Sequence, residues 1–235
     1  MVKDGIINMD ILGIDDKYWN KKYLDFYDKD FIFSGQLKSE HSEAAIIECI
    51  FKKCLPVSKY FVDIGAYGER NSNTFHLAMT GWQGIMVEAN VEQAAELRTI
   101  FRGRDIKVVS EFVTPGKLGK YHEPYCLEAI LDRLNAPKII DFLSIDIDSY
   151  EYEVWKYLIE YTVSVVCIEI NQFELDFSVI DYDPSFTLFP YKGKRQGYGG
   201  TTLGLMNKLA EEKGYDFLCL DICNAFYIKK NLYGN

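Results

Sequence analysis

The residues best placed for chemistry are oxygen-bearing side chains that close runs of apolar sequence. Leu143-Ser144-Ile145-Asp146-Ile147-Asp148 carries two carboxylates at spacing two. In an extended chain residues two apart share a face, so both would overlook one pocket. A second run, Val163–Ile168, is followed by Glu169-Ile170-Asn171 with the same spacing. Two kinds of chemistry suit such groups. One is removal of a proton from a hydroxyl, with Asp146 and Asp148 as the catalytic pair. The other is a hard divalent cation, Mg²⁺ or Mn²⁺, on Asp146, Glu169 and Asn171, lowering the pKa of an acceptor oxygen without a histidine base. The plainer alternative has Asp148 capping the following helix and Glu169 paired with a basic loop residue.

A second constellation looks like a cofactor end. Phe61-Val62-Asp63-Ile64-Gly65-Ala66-Tyr67-Gly68 ends an apolar run in a glycine turn, where Gly65 and Gly68 allow a sharp bend and close backbone approach. Asp63 either orients that loop or accepts a hydrogen bond from a cofactor ammonium. About 20 residues on, Ile85-Met86-Val87-Glu88 supplies the carboxylate that in this position grips both hydroxyls of an adenosine ribose. Val109-Ser110-Glu111-Phe112 then brings polar groups to where an adenine is read. The turn has no G-x-G-x-x-G: Ala66 follows Gly65, and Glu69, Arg70 and Asn71 follow Gly68. An acidic residue there suits a cofactor without pyrophosphate, which favours S-adenosylmethionine (SAM) over NAD. An NAD(P)-dependent oxidoreductase would need a hydride-relay pair. Tyr152 and Lys156 have the Tyr-x-x-x-Lys spacing, but they fall in a helical pattern beside Trp155. A SAM-binding protein without catalysis is the third reading. The three histidines, His41, His76 and His122, read as packed or surface residues.

These tips need a framework that sets them side by side. Buried parallel strands are expected at Tyr60–Ile64, Gly84–Val87, Ile106–Val109, Ile140–Ile145 and Val163–Ile168. Helical patterns lie at Ser42–Lys53, Thr74–Met79, Val91–Phe101, Leu127–Leu134, Glu151–Tyr161 and Thr202–Lys213, the last stopped by Gly214. Two final strands, Asp216–Leu220 and Ala225–Ile228, are joined too closely for a crossover helix and so must be antiparallel. The expected fold is α/β: a Rossmann-like, mostly parallel seven-stranded sheet closed by an antiparallel C-terminal strand pair. One domain over residues 1–235 accounts for the chain, with residues 1–55 as a lead-in and helix, the first 38 irregular and aromatic-rich. Residues 172–200 form a long insertion read as a substrate lid.

Composition narrows the function classes. The net charge of −9 argues against a nucleic-acid partner, which needs a basic face to displace counterions. The one dense basic cluster, Lys192, Lys194 and Arg195, lies in the lid with Tyr198 and suits an anionic acceptor such as a phosphate, carboxylate or nucleotide-sugar. No run of about 18 apolar residues offers a membrane span. No basic-then-apolar start marks a secretory signal. The six cysteines, with three histidines, lack zinc-site spacing and read as reduced thiols of a cytoplasmic protein.

Taken in order, these strings resemble the FkbM-type methyltransferases. The resemblance is carried by Phe61–Ala66, Ser72-Asn73-Thr74, Gly81-Trp82-Gln83-Gly84, Val87-Glu88-Ala89-Asn90, Leu143–Asp148 with Tyr150, Glu151 and Trp155, and Ile168–Asn171. Ser34-Gly35-Gln36 and Ser39-Glu40 extend it forward. The resemblance implies SAM binding by Asp63, Gly65, Ala66, Gly68, Asn73 and Glu88, with Ser110 and Glu111 near the adenine; Tyr67, Ala89 and Asp146 are expected to line the same site. The expected reaction is O-methylation of a sugar, phosphorylated or other small polar metabolite, with a homo-oligomer compatible with that reading. Two positions depart from the family pattern: the glycine loop is one residue short, with Tyr67-Gly68 for Asn/His-Asp-Gly, and Ser149 replaces a glycine.

Overall fold

The apolar runs become strands β1 (Tyr60–Ile64), β2 (Gln83–Val87), β3 (Ile106–Val109), β4 (Ile139–Ile145) and β5 (Thr162–Glu169), followed by β6 (Tyr215–Asp221) and β7 (Asn224–Lys229). The computed structural model describes residues 18–37, 39, 41–68, 72–116, 124–148, 150–170 and 201–232. The strands form one sheet in the order β3-β2-β1-β4-β5-β7-β6. β1 to β5 run parallel, and β7 is antiparallel to both β5 and β6. The direction of strand addition reverses between β1 and β4, which opens a crevice at their C-terminal ends.

The lead-in differs from the irregular segment expected. A 3-10 helix (Lys21–Phe26) and a short helix α1 (Lys29–Ile32) form there, begun by the side chains of Asn20 and Asp28, which accept from Lys22 N and Phe31 N. Trp19, Tyr23 and Phe26 are buried, and Asn20 N donates to Leu218 O at 2.8 Å. The aromatics cover β6, an edge strand whose open hydrogen-bonding row would otherwise invite another chain. Their spacing has no helical period because contact with the sheet, not a helix stripe, sets it.

One face of the sheet (Phe61, Met86, Phe142, Val165, Phe226) packs against α2 (Glu43–Lys53), α3 (Phe75–Met79) and α4 (Val91–Ile100). The other (Val62, Ile64, Leu143, Ile145, Ile168) packs against α5 (Leu127–Arg133), α6 (Glu151–Tyr157) and α7 (Leu203–Glu212). α6 ends four residues before the expected Tyr161. The Glu128 carboxylate takes the N–H groups of Ile159 and Glu160, and the chain turns at once into β5.

At the N-terminal edge of the sheet, Asp141 on β4 is fully buried. It accepts from Val57 N (2.7 Å), Ser58 N (2.8 Å), Ser58 Oγ (2.8 Å) and Tyr60 N (3.3 Å), fixing the entry to β1. Among the described residues no helix is long and apolar enough to cross a membrane. All six cysteines are free thiols; Cys49, Cys126, Cys167 and Cys219 are buried, Cys54 and Cys223 partly so.

Candidate cofactor and acceptor site

Strand register builds the site. Ile64 is paired with Val87 on one side and Ile145 on the other, Val87 with Val109, and Ile145 with Ile168. The strands therefore reach this level together, and the next residues stand abreast: Ser110, Glu88, Gly65, Asp146 and Glu169. Glu169 is paired with Asn224, and Asn224 with Asp221, so the row continues across β7 to β6. Alternation along each strand turns the side chains of this row away from the Ile64–Val87–Ile145 layer and toward the face that carries α2 and α3.

Gly65 is the pivot. Its φ is +83°, and a Cβ there would lie 1.7 Å from the Asp146 carbonyl oxygen, so any side chain would drive β1 and β4 apart. Gly65 N and Ala66 N both donate to Val87 O, at 2.9 and 3.2 Å, and Asp146 N donates to Ile64 O at 2.9 Å. The second turn residue differs from expectation: Tyr67, not Gly68, takes a left-handed conformation (φ 45°). A non-glycine residue held there is strained, which marks the loop as over-determined by its surroundings. The surrounding group is Glu88, whose carboxylate accepts from Tyr67 N at 2.8 Å and from Asn90 N at 2.7 Å. Glu88 is thus locked in orientation, with one lone pair on each oxygen left for two hydroxyls.

Beneath the loop lies a buried polar network. Asp63 accepts from Thr74 Oγ1 at 2.6 Å and Ser72 Oγ at 2.9 Å, so it ties the returning chain to β1. Burial raises its carboxyl to about 6, with the Thr74, Ser72 and Ser144 hydroxyls pulling the other way. Asn73 Nδ2 donates to Ser144 Oγ at 3.0 Å and reaches Cys167 Sγ at 3.9 Å. Of the two roles open to Asp63, loop orientation is the one its contacts fill. His76, one turn further, is 8% exposed with both ring nitrogens unpartnered among the described residues, and burial holds its imidazole down at about 4.

The remaining site residues separate. Ser110 Oγ is buried without a partner among the described residues, whereas Glu111 is ion-paired with Arg133 on α5. Ala66 is fully buried and Ala89 partly exposed. Asp146 and Asp148 do not share the face of an extended strand. β4 stops at Ile145, Ile147 N is taken by the Glu151 carboxylate at 3.0 Å, and Asp148 sits exposed in a left-handed turn at φ 60°. The turn, not the pleat, decides where Asp148 faces. Asn171, Lys192, Lys194, Arg195 and Tyr198, and the whole 172–200 segment, lie outside the described residues, as does Ser149. Among the described residues no group of three or more His, Cys, Asp or Glu side chains is arranged to hold a metal ion. A surface hollow of about 500 Å³, lined by Lys21, Leu24, Tyr27, Asp28, Lys29 and Asp30, lies on the lead-in helices and not on the row.

Sequence reading missed Glu43, Asp221 and Asn224. Glu43 and Asp221 carry no local signal, since one opens a helix and the other closes an outer strand; only the sheet order brings them to the row.

No family model matches this chain, and no curated protein does. Among solved structures, the SAM-bound amino pentose methyltransferase of calicheamicin biosynthesis from Micromonospora echinaspora is similar, with a TM-score of 0.50 at 11% identity over 84% of this chain and 94% of that one. A sugar N-methyltransferase from Streptoalloteichus gives 0.47 at 11% identity over 87% and 94%. A SAM-dependent methyltransferase from Clostridium acetobutylicum gives 0.47 at 12% identity over 84% and 94%. At such identity the likeness is one of fold alone. The fold is that of the Rossmann-like SAM-dependent methyltransferases, with its sheet order and antiparallel closing pair.

Proposed function

We propose that this chain is a SAM-dependent methyltransferase acting on a small polar acceptor, by O-methylation in the manner of the FkbM-type enzymes its motifs resemble. The observation that carries the reading is the in-register row Ser110–Glu88–Gly65–Asp146, which supplies an adenosine-sized set of groups in the order such a cofactor needs them. Glu88 has two carboxylate lone pairs for the ribose hydroxyls, Ser110 Oγ an unfilled bond for an adenine edge, and Gly65 a bare backbone for close approach. These features support a SAM site at the strand tips. When bound, SAM supplies an electrophilic methyl on a sulfonium. The protein's own task is to orient the acceptor and remove its proton, and Asp146, adjoining Gly65 on the neighbouring strand, is the group in place to accept it. The anionic-acceptor reading rests on Lys192, Lys194, Arg195 and Tyr198 of the lid. The oxidoreductase reading has less support. Lys156 Nζ lies 5.7 Å from the Tyr152 ring centroid on α6, and Tyr152 faces Glu212 at the end of α7, away from the row.

Calorimetry tests the assignment: SAM or S-adenosylhomocysteine binds and NADH does not. Binding of NAD(H) with no SAM binding would overturn it. With a turned-over acceptor in hand, Asp146→Asn lowers kcat by at least about 10²-fold, the lower range for a positioned base. EDTA then separates the two roles of Asp146. Loss of turnover restored by Mg²⁺ or Mn²⁺ identifies a metal on Asp146, Glu169 and Asn171; insensitivity identifies a base. Full activity of the Asp146 variant removes both.

A further inference from the structure

The far end of the row holds a second set of groups that cofactor binding does not use. Glu43, the first residue of α2, is fully buried; its carboxylate accepts from Asn224 Nδ2 at 2.9 Å and from His41 N at 2.9 Å. Asp221, 4% exposed, accepts from Ser42 N at 2.8 Å. Among the described residues neither carboxylate has a lysine or arginine ion-pair partner. Asp63 and Asp146 add to the negative field, since all four carboxylates disfavour ionisation of the Cys167 thiol between them. Burial and the Glu43 charge push the Asp221 carboxyl up to about 6.

A tie between α2 and the β6–β7 hairpin explains the three bonds above, but not the Asn224 side chain. Its amide is oriented by the bond to Glu43, and Asn224 is 3% exposed, yet its Oδ1 is buried with no donor among the described residues. A buried carbonyl oxygen without a donor is unfavourable by about 1–3 kcal/mol. Here it shares a corner with two carboxylates, so what the site lacks is an N–H donor carrying positive charge.

We propose that the Glu43–Asp221–Asn224 corner is a recognition site for an alkylammonium group of the methyl acceptor. This rests on the methyltransferase reading above and adds the acceptor's chemistry to it. An ammonium offers up to three N–H donors and neutralises the local charge. Neutral hydroxyls satisfy the oxygens but leave the charge. Asn224 stands two strands from β4, so at a strand spacing of about 4.8 Å the ammonium lies about 10 Å from Asp146. The acceptor is therefore a molecule of at least that reach, with its ammonium at one end and its methyl-accepting atom at the other.

The test uses the full chain saturated with S-adenosylhomocysteine and follows its thermal midpoint against propylammonium chloride, propan-1-ol and sodium chloride. The expected result is a saturable rise with propylammonium only, whose apparent affinity falls about tenfold or more in Asp221→Asn, on the scale of one charge-assisted hydrogen bond. Equal responses to the three solutes overturn the inference without any variant, and so does an unchanged propylammonium affinity in a folded Asp221→Asn. SAM calorimetry on the same preparation keeps the two readings apart. Failure of SAM with binding of propylammonium sinks the methyltransferase reading; binding of SAM with no propylammonium response sinks the ammonium site alone.

Discussion

The two edges of the sheet both carry buried carboxylates, Asp141 on β4 and Glu88 after β2, and they are finished differently. At the N-terminal edge Asp141 meets four donors from residues 57–60, so every favourable bond is made inside the chain. At the C-terminal edge, among the described residues, Glu88 has two backbone donors and room for two more, Ser110 Oγ and Asn224 Oδ1 have none, and Tyr67 is held in a strained turn. A saturated carboxylate is a fastener. One that is oriented but unsaturated is prepared for something the chain does not contain. Buried polar groups are normally paired, so Ser110 Oγ and Asn224 Oδ1 call for an explanation, and the proposed cofactor and acceptor supply one.

The largest expected effect is at the saturated edge. Asp141→Ala removes a fully buried acceptor from four donors, the Tyr60 N–H among them buried, and should destabilise the protein by about 3–5 kcal/mol in urea unfolding, while the folded fraction keeps its SAM affinity. A change below about 1 kcal/mol would show that Asp141 is not the fastener its bonds describe. Next comes the pivot. Gly65→Ala forces a methyl into the Asp146 carbonyl and should weaken SAM at least about 100-fold, about 2.7 kcal/mol, in calorimetry. Gly68→Ala should be nearly neutral, since Gly68 has no positive φ and open space beside it. The reverse ranking would move the close approach to the second glycine.

Glu88→Ala should cost about 1.5–3 kcal/mol of SAM affinity, the scale for hydrogen bonds to a charged group. Unchanged affinity would place the ribose acid elsewhere. The smallest effect is a pH dependence. The His76 imidazole sits at about 4 in the fold, below its ordinary 6.5, so the unfolded chain binds the extra proton between those values. Stability carried by neutral His76 is complete above about 6.5 and is lost as pH falls toward 4. Asp63 and Asp221, raised to about 6, act in the opposite sense: their contribution is complete below 3.8 and fades as pH rises through 6. Replacing His76 by Leu removes only the first term, so the variant should gain about 1–2 kcal/mol more at pH 5 than at pH 8. An equal gain at both values would mean that His76 finds a partner when protonated.

Much of the framework was legible before any coordinates. The five parallel strands begin within one residue of their expected starts, because fully buried strands show as short apolar runs bounded by turn residues. The glycine turn and the acid about 20 residues later were readable for the same reason: both are local chemistry at the ends of such runs. Asp148 was misplaced because pleat geometry was extended past Ile145, where the Glu151 carboxylate had already turned the chain. The lead-in was misread because its aromatics answer to β6, about 190 residues away in the chain and invisible to periodicity.

What the sequence by itself determined is therefore the alternation of strands and helices, the tight turn at Gly65 and the carboxylates at the strand tips. Each is a property of a few consecutive residues, dictated by burial period, backbone sterics and turn chemistry. The tertiary structure alone decided which tips stand abreast, that Asp63 meets the Ser72 and Thr74 hydroxyls while Glu88 meets the Tyr67 and Asn90 N–H groups, that Tyr67 bears the strain, and that Glu43, Asp221 and Asn224 meet. Those outcomes depend on strand order and register, set by the collective packing of two hydrophobic layers, and no window of sequence holds that sum.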